Sequence, residues 1–165
     1  MEKRLQELPE LSKEKLAESK KYFQKLKKRT PKNLDLIMQD LHDKEFEKTD
    51  CLACGNCCKT TSPIFTDVDI KRIAKHLKMK EYQFVDQYLQ VDEDDYYVLK
   101  SAPCPFLDLN DNMCFIYDVR PKACKEYPHT NRRKFIQLTD LTLKNTEVCP
   151  AVYSIIEELK KKLPL

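Results

Sequence analysis

One glycine serves the whole 165-residue chain, and it sits inside a cluster of thiols. Cys51, Cys54, Cys57 and Cys58 fall within eight residues, with Gly55 directly after the second of them. A Cys-x-x-Cys turn carries two sulfurs to one point. A following residue able to take φ > 0 lets the backbone amides turn toward those sulfurs. A chain that uses glycine once, and uses it here, is shaped to wrap a metal. The same scarcity excludes nucleotide folds whose phosphate loops need several glycines.

Four more cysteines follow at Cys104, Cys114, Cys124 and Cys149, and none precedes Cys51. Their even number would also suit disulfides in a secreted domain. Met1-Glu2-Lys3-Arg4 is charged, however, with no apolar segment behind it, and no apolar run approaches the length of a membrane span. The expectation is a cytoplasmic protein, off the membrane, whose reduced thiols are metal ligands. Thirty basic residues against 27 acidic leave a net charge of +3, too balanced to call for nucleic acid.

The spacing predicts a mainly α fold with a small irregular β hairpin. Leu5, Leu8, Leu16, Phe23 and Leu26 mark an amphipathic helix to about Arg29, its other faces rich in lysine. Thr30-Pro31 reads as the cap of a second helix through Leu34, Ile37, Met38 and Leu41. Residues 1–48 thus form an N-terminal helical extension, and 49–165 a cysteine-rich, metal-centred domain. The basic helices are a solvated surface first and a docking face for a protein partner second.

Thr66 with Asp69 three residues on resembles a capping box opening a helix to about Lys78, with a shorter helix from Glu81 to Leu89. Asp92-Glu93-Asp94-Asp95 lacks the spacing of an EF-hand and reads as a solvated turn, with a strand at Tyr96–Lys100. Pro105–Leu109 and Met113–Tyr117 flank Asn110-Asp111-Asn112 as a hairpin. Arg120-Pro121 opens a helical turn carrying Cys124, and Cys149-Pro150 starts the last helix.

Thiolates select zinc, iron and other soft or borderline metals. Cys51 and Cys54 with a distant pair would complete a structural zinc tetrahedron. Cys51-x-x-Cys54-x-x-Cys57, with Cys-Pro at Cys104 and Cys149, equally resembles the run that holds a [4Fe–4S] cluster. A lone cysteine is more often a small buried hydrophobe, but eight in one reduced chain reverse that reading. Cys149, distant in sequence, carries it least securely. His42, His76 and His129 read as ordinary surface or half-buried histidines, and no nucleophile–histidine–carboxylate arrangement stands out. No catalytic residue is assigned. Adjacent residues point about 100° apart on a helix, so Cys57 and Cys58 are expected to serve different roles.

Cys51-x-x-Cys54-Gly-Asn-Cys57-Cys58, then Cys104-Pro-Phe-Leu, Cys114-Phe-Ile-Tyr-Asp-Val-Arg-Pro and Cys124-Lys-Glu-Tyr-Pro, resemble the CxxCxxCC cysteine-cluster (YkgJ) family. The segment Thr66-Asp67-Val68-Asp69-Ile70 is similar to that family too. The resemblance covers about Cys51 to His129 and implies chelation of zinc or iron. Flagellin lysine methylases carry a related cluster, which brings an enzyme into view. The reading is therefore a cytosolic protein whose eight cysteines, with Gly55 shaping their turn, hold an iron–sulfur cluster or zinc. The alternatives are an enzyme using that centre, redox or protein methyltransferase-like, and a zinc-stabilised adaptor that docks a partner through its basic helices.

Overall fold

The computed structural model describes residues 1–165. In chain order its helices are α1 (Glu2–Lys28), α2 (Leu34–Phe46), α3 (Cys51–Cys54), α4 (Asn56–Thr60), α5 (Asp67–His76), α6 (Glu81–Tyr88), α7 (Lys122–Glu126), α8 (Thr139–Thr146) and α9 (Pro150–Lys162). Strands β1 (Leu89–Val91) and β2 (Tyr97–Leu99) stand between α6 and α7. The expected class, mainly helical with a small hairpin, holds. The chain forms two compact units, Met1–Cys54 with Pro128–Leu165, and Gly55–Tyr127.

In the first unit, the predicted stripe of α1 buries Leu8, Phe23 and Leu26, with Ser12, Ser19 and Tyr22 on the same face. Pro9 lies inside this helix, where the Ser12 hydroxyl donates to its carbonyl at 3.2 Å. Thr30 does not open α2. Its hydroxyl donates to the Leu26 carbonyl at 2.9 Å, closing α1, and α2 begins only after Asn33. Leu34, Met38 and Leu41 of α2 join Tyr22, Phe23 and Leu26 against Val152, Ile155, Ile156 and Leu159 of α9. Burying each such aliphatic side chain is worth about 1.5–3 kcal/mol. Arg4 ties three helices together, donating to Glu45 at 2.7 Å, Ser154 at 2.9 Å and the Pro150 carbonyl at 3.2 Å. Glu45 is almost fully buried while Arg4 reaches it from a partly exposed position, and Glu45 also accepts from the Thr49 hydroxyl at 3.0 Å.

Helix α8 had no counterpart in the sequence reading. It buries Thr139, Thr142, Leu143, Asn145 and Thr146, a mostly polar face without the apolar period of a helix. The three threonine hydroxyls bond back to the carbonyls of Ile136, Leu138 and Leu143, which makes their burial tolerable. Asp35 accepts from the amides of Lys134 and Phe135 at 2.8 and 3.0 Å and fixes the 3-10 turn before α8.

In the second unit the capping box at Thr66 forms as read. The Thr66 hydroxyl oxygen accepts from the Asp69 amide at 3.2 Å, and Asp69 accepts from the Thr66 amide at 3.0 Å. Ile70, Ile73 and Ala74 of α5 then pack with Phe65, Phe84, Leu89, Leu99, Phe106 and Ile116. The Phe84 ring sits 6.0–6.1 Å from those of Phe65 and Phe106. Strands β1 and β2 pair antiparallel, Leu89 opposite Leu99, around the acidic turn, where Asp92 accepts from the amides of Asp94 and Tyr96. The hairpin read at 105–117 shrinks to one bridge, Leu107 opposite Cys114, flanked by Asp108 N–H to the Met113 carbonyl and Phe115 N–H to the Phe106 carbonyl, both at 2.8 Å. The chain on either side is drawn off into the turns that carry Cys104 and Cys114.

Because α1 and α2 share their core with α9, residues 1–46 support the C-terminal helices of the same unit. Deleting them should abolish protection of 139–162 in hydrogen exchange. Ile156→Ala in the intact chain should cost about 2–5 kcal/mol in denaturant melts. Unchanged protection of 139–162 after the deletion would contradict this packing.

Candidate metal centre

Helix α3 places Cys51 and Cys54 three residues apart, on one helical face. Gly55 then takes φ +58° and ψ 5°, the left-handed conformation its isolation in the sequence implied. A Cβ there would meet the Asn112 side chain, 2.7 Å from its Oδ1. Asn112 is a residue the sequence did not single out. Its packing on Gly55 pins the start of α4 against the loop before Cys114. Helix α4 carries Cys57 and Cys58 with sulfurs 4.0 Å apart. Metal–sulfur bonds of about 2.3 Å in a tetrahedron put sulfurs about 3.8 Å apart. The 100° divergence of adjacent Cα–Cβ bonds is thus offset by side-chain torsion, and the two sulfurs lie near ligand spacing.

The Cys104 amide donates to the Cys58 carbonyl at 2.8 Å, so α4 and the Cys104-Pro105 turn are joined through backbone. Two similar turns follow. The Cys104 carbonyl accepts from Leu107 N–H and the Cys114 carbonyl from Tyr117 N–H, each at 3.1 Å. In each turn the sulfur faces amides: Phe106 and Leu107 favour a Cys104 thiolate, and Ile116 favours a Cys114 thiolate. Cys124 comes from α7, two residues after Lys122, whose amide donates to Asp69 at 3.1 Å.

Charge ties four of these sulfurs to one another. Burial pushes the Cys104 thiol up to about 11, with Cys58 and Cys114 adding to the rise. Burial pushes Cys124 up to about 12, and Cys58, Cys104 and Cys114 all raise it further. Cys114 is raised by burial and then by Cys58. Cys58 goes the other way, to about 7, because Cys57 hydrogen-bonds its thiolate and Lys59 adds positive charge. Cys58 thus adds to the rise of Cys104, Cys114 and Cys124, all within Gly55–Tyr127.

In the other unit Cys149 stands at the N-cap of α9. Burial pushes its thiol up to about 11, the amides of Val152 and Ala151 oppose that, and Cys54 and Cys51 raise it. Cys51 is exposed; Cys54 and Cys149 are half-buried. No disulfide joins any of the eight cysteines. His42 Nδ1 pairs with the Thr130 hydroxyl at 2.8 Å, His76 is exposed, and His129 is half-buried at φ +67°.

No three His, Cys, Asp or Glu side chains are arranged to hold a metal ion as the structure stands. The donor chemistry nevertheless fits zinc or iron: eight thiols, with backbone amides aimed at Cys104 and Cys114. Closing such a set requires loss of the thiol protons, which a bound cation drives.

The CxxCxxCC family, described as a putative zinc- or iron-chelating domain, matches residues 50–150. The chain belongs to this family. The match takes in Gly55 and all eight cysteines, Cys149 included, and reaches past His129, where the motifs read in the sequence end. No solved structure matches the chain. Zinc or iron is accordingly the metal of this CxxCxxCC protein. No helix is long and apolar enough to cross a membrane.

Gly55→Ala should destabilise the Gly55–Tyr127 unit by about 1–2 kcal/mol through backbone conformation alone, with the Asn112 contact adding to it. Adding Asn112→Gly should recover the contact part only. Urea melts of the single and double variants check this, and a neutral Gly55→Ala would refute the strained turn.

The metal-free protein should weaken in alkali. A thiol whose folded pKa lies above the unfolded value of about 8.5 stabilises the fold fully below that pH. Its contribution is lost as pH rises through about 11 for Cys104 and about 12 for Cys124. Denaturation midpoints of the metal-free chain should fall over that window, and Cys124→Ala should flatten the fall. A metal-loaded chain, already thiolate, should lack it.

Proposed function

We propose that this protein is a cytosolic metal-holding protein whose main centre lies in Gly55–Tyr127 and is ligated by Cys58, Cys104, Cys114 and Cys124. The observation that carries the reading is the backbone that joins these turns: the Cys104 amide donates to the Cys58 carbonyl at 2.8 Å and Cys114 bridges to Leu107 of the Cys104 turn, while Cys58 adds to the burial that raises Cys104, Cys114 and Cys124. Cys57, 4.0 Å from Cys58, is the reserve sulfur of this centre. Cys51, Cys54 and Cys149 form a second sulfur group, so that all eight cysteines serve metal. Gly55 sets the turn between the two groups in sequence.

Bound zinc would supply a tetrahedral cross-link, and an iron–sulfur cluster would supply one-electron chemistry. The chain's own residues aim amides at the sulfurs and keep them half-buried. In either case the binding free energy becomes folding free energy for a unit whose core is small. The enzyme reading draws on the second group, because three sulfurs leave a tetrahedral position open to a substrate. The adaptor reading draws on α1, whose lysines are paired only in part with Glu7, Glu18 and Asp140.

Anaerobic purification followed by zinc, iron and sulfide analysis identifies the metal. Cys58→Ser, Cys104→Ser, Cys114→Ser and Cys124→Ser should each weaken retention of the metal at the main centre, whereas Cys149→Ser should leave it unchanged. Full metal content in Cys104→Ser and Cys124→Ser would overturn the reading.

A further inference from the structure

Helix α7 presents Cys124 but buries no residue of its own. Five residues are too few to form a stable helix without outside support, so something else must set its position. That support comes from α5, which is anchored in the core by Ile70, Ile73 and Ala74.

Asp69, only 1% exposed, divides its carboxylate between two tasks. Its Oδ2 accepts from the Thr66 amide at 3.0 Å and the Thr66 hydroxyl at 2.7 Å, closing the cap of α5. Its Oδ1 accepts from Arg72 at 2.5 Å and from the Lys122 amide at 3.1 Å, at the first turn of α7. Arg72 continues the clasp. Its Nε donates to the Val119 carbonyl at 3.2 Å and its Nη2 to the Arg120 carbonyl at 2.9 Å. One Asp–Arg pair thus grips the backbone at 119, 120 and 122, with Pro121 rigid between them. An ordinary capping residue serves its own helix; this one caps a second helix that carries a sulfur ligand.

We propose that Asp69 and Arg72 are positioning residues of the metal centre, setting Cys124 toward Cys58, Cys104 and Cys114. The proposal rests on the four-thiolate reading given above. It assigns to the Thr66–Asp69 box a role beyond starting a helix. Removing the clasp should free α7 and withdraw one sulfur from the metal, while the other three remain in place.

Cobalt(II) titration of the metal-stripped full-length chain reads this directly, because thiolate-to-cobalt absorbance per bound ion reports the number of sulfurs. Cys124→Ser should show reduced intensity; intensity equal to the unsubstituted protein would mean that the four-thiolate reading itself has failed. Asp69→Ala and Arg72→Ala should bind cobalt about 10- to 100-fold more weakly, with intensity per ion falling to the Cys124→Ser value. Asp69→Asn, which keeps one acceptor oxygen for the Lys122 amide but loses the second one that faces the Thr66 amide, should recover part of both and guards against a misfolded alanine variant. Ile73→Ala, which opens a cavity in the same helix, should lose stability yet keep full intensity. The positioning role is overturned if Asp69→Ala and Arg72→Ala keep full intensity, or if Ile73→Ala loses as much as they do.

Discussion

A thiolate beside other thiolates, away from water, is costly unless a cation stands among them. In the Gly55–Tyr127 unit burial and mutual repulsion hold Cys104, Cys114 and Cys124 protonated at neutral pH. The same features that penalise the bare thiolates make a metal ion effective there, since it cancels the repulsion and releases the protons. Cys58 alone shifts the other way, to about 7, because Cys57 hydrogen-bonds it and Lys59 adds positive charge.

The backbone around these sulfurs is arranged to accept that charge. Amides face Cys104 and Cys114 from the turns that follow them, and the Cys104 amide binds the Cys58 carbonyl. Gly55 permits the left-handed step into α4, which a Cβ would strain while pressing on the Asn112 side chain. The apolar core of Phe65, Ile73, Phe84, Phe106 and Ile116 lies under the same turns and holds them in register. Packing and the proposed coordination therefore act on one small set of loops, with the Asp69–Arg72 clasp holding the turn that carries Cys124.

Features with a local cause were legible in the sequence. The positive φ of Gly55, the Thr66–Asp69 box, the short α7 and the Cys149-Pro150 start of α9 each follow from two or three neighbouring residues. Features decided at a distance were not. Thr30-Pro31 reads as a cap until the Thr30 hydroxyl is seen to close α1. The 105–117 segment alternates like a hairpin, but its cysteine turns leave room for one bridge. Helix α8 buries threonine and asparagine, so apolar periodicity is silent there. The stripes of α1 and α2 were clear in the sequence, but periodicity does not say that α9 is what covers them. Likewise, eight cysteines announce a metal, but only the fold shows that Cys58, Cys104, Cys114 and Cys124 lie in one compact unit and Cys51, Cys54 and Cys149 in the other.

That grouping is best tested at the metal itself. X-ray absorption at the zinc or iron edge, on a chain in which Cys51, Cys54, Cys57 and Cys149 are replaced by serine, counts the ligands of the remaining set. Four sulfur neighbours at about 2.3 Å, and no oxygen or nitrogen ligand, are the expected result. A shell dominated by oxygen or nitrogen, or a chain that no longer retains metal, would contradict the four-thiolate centre.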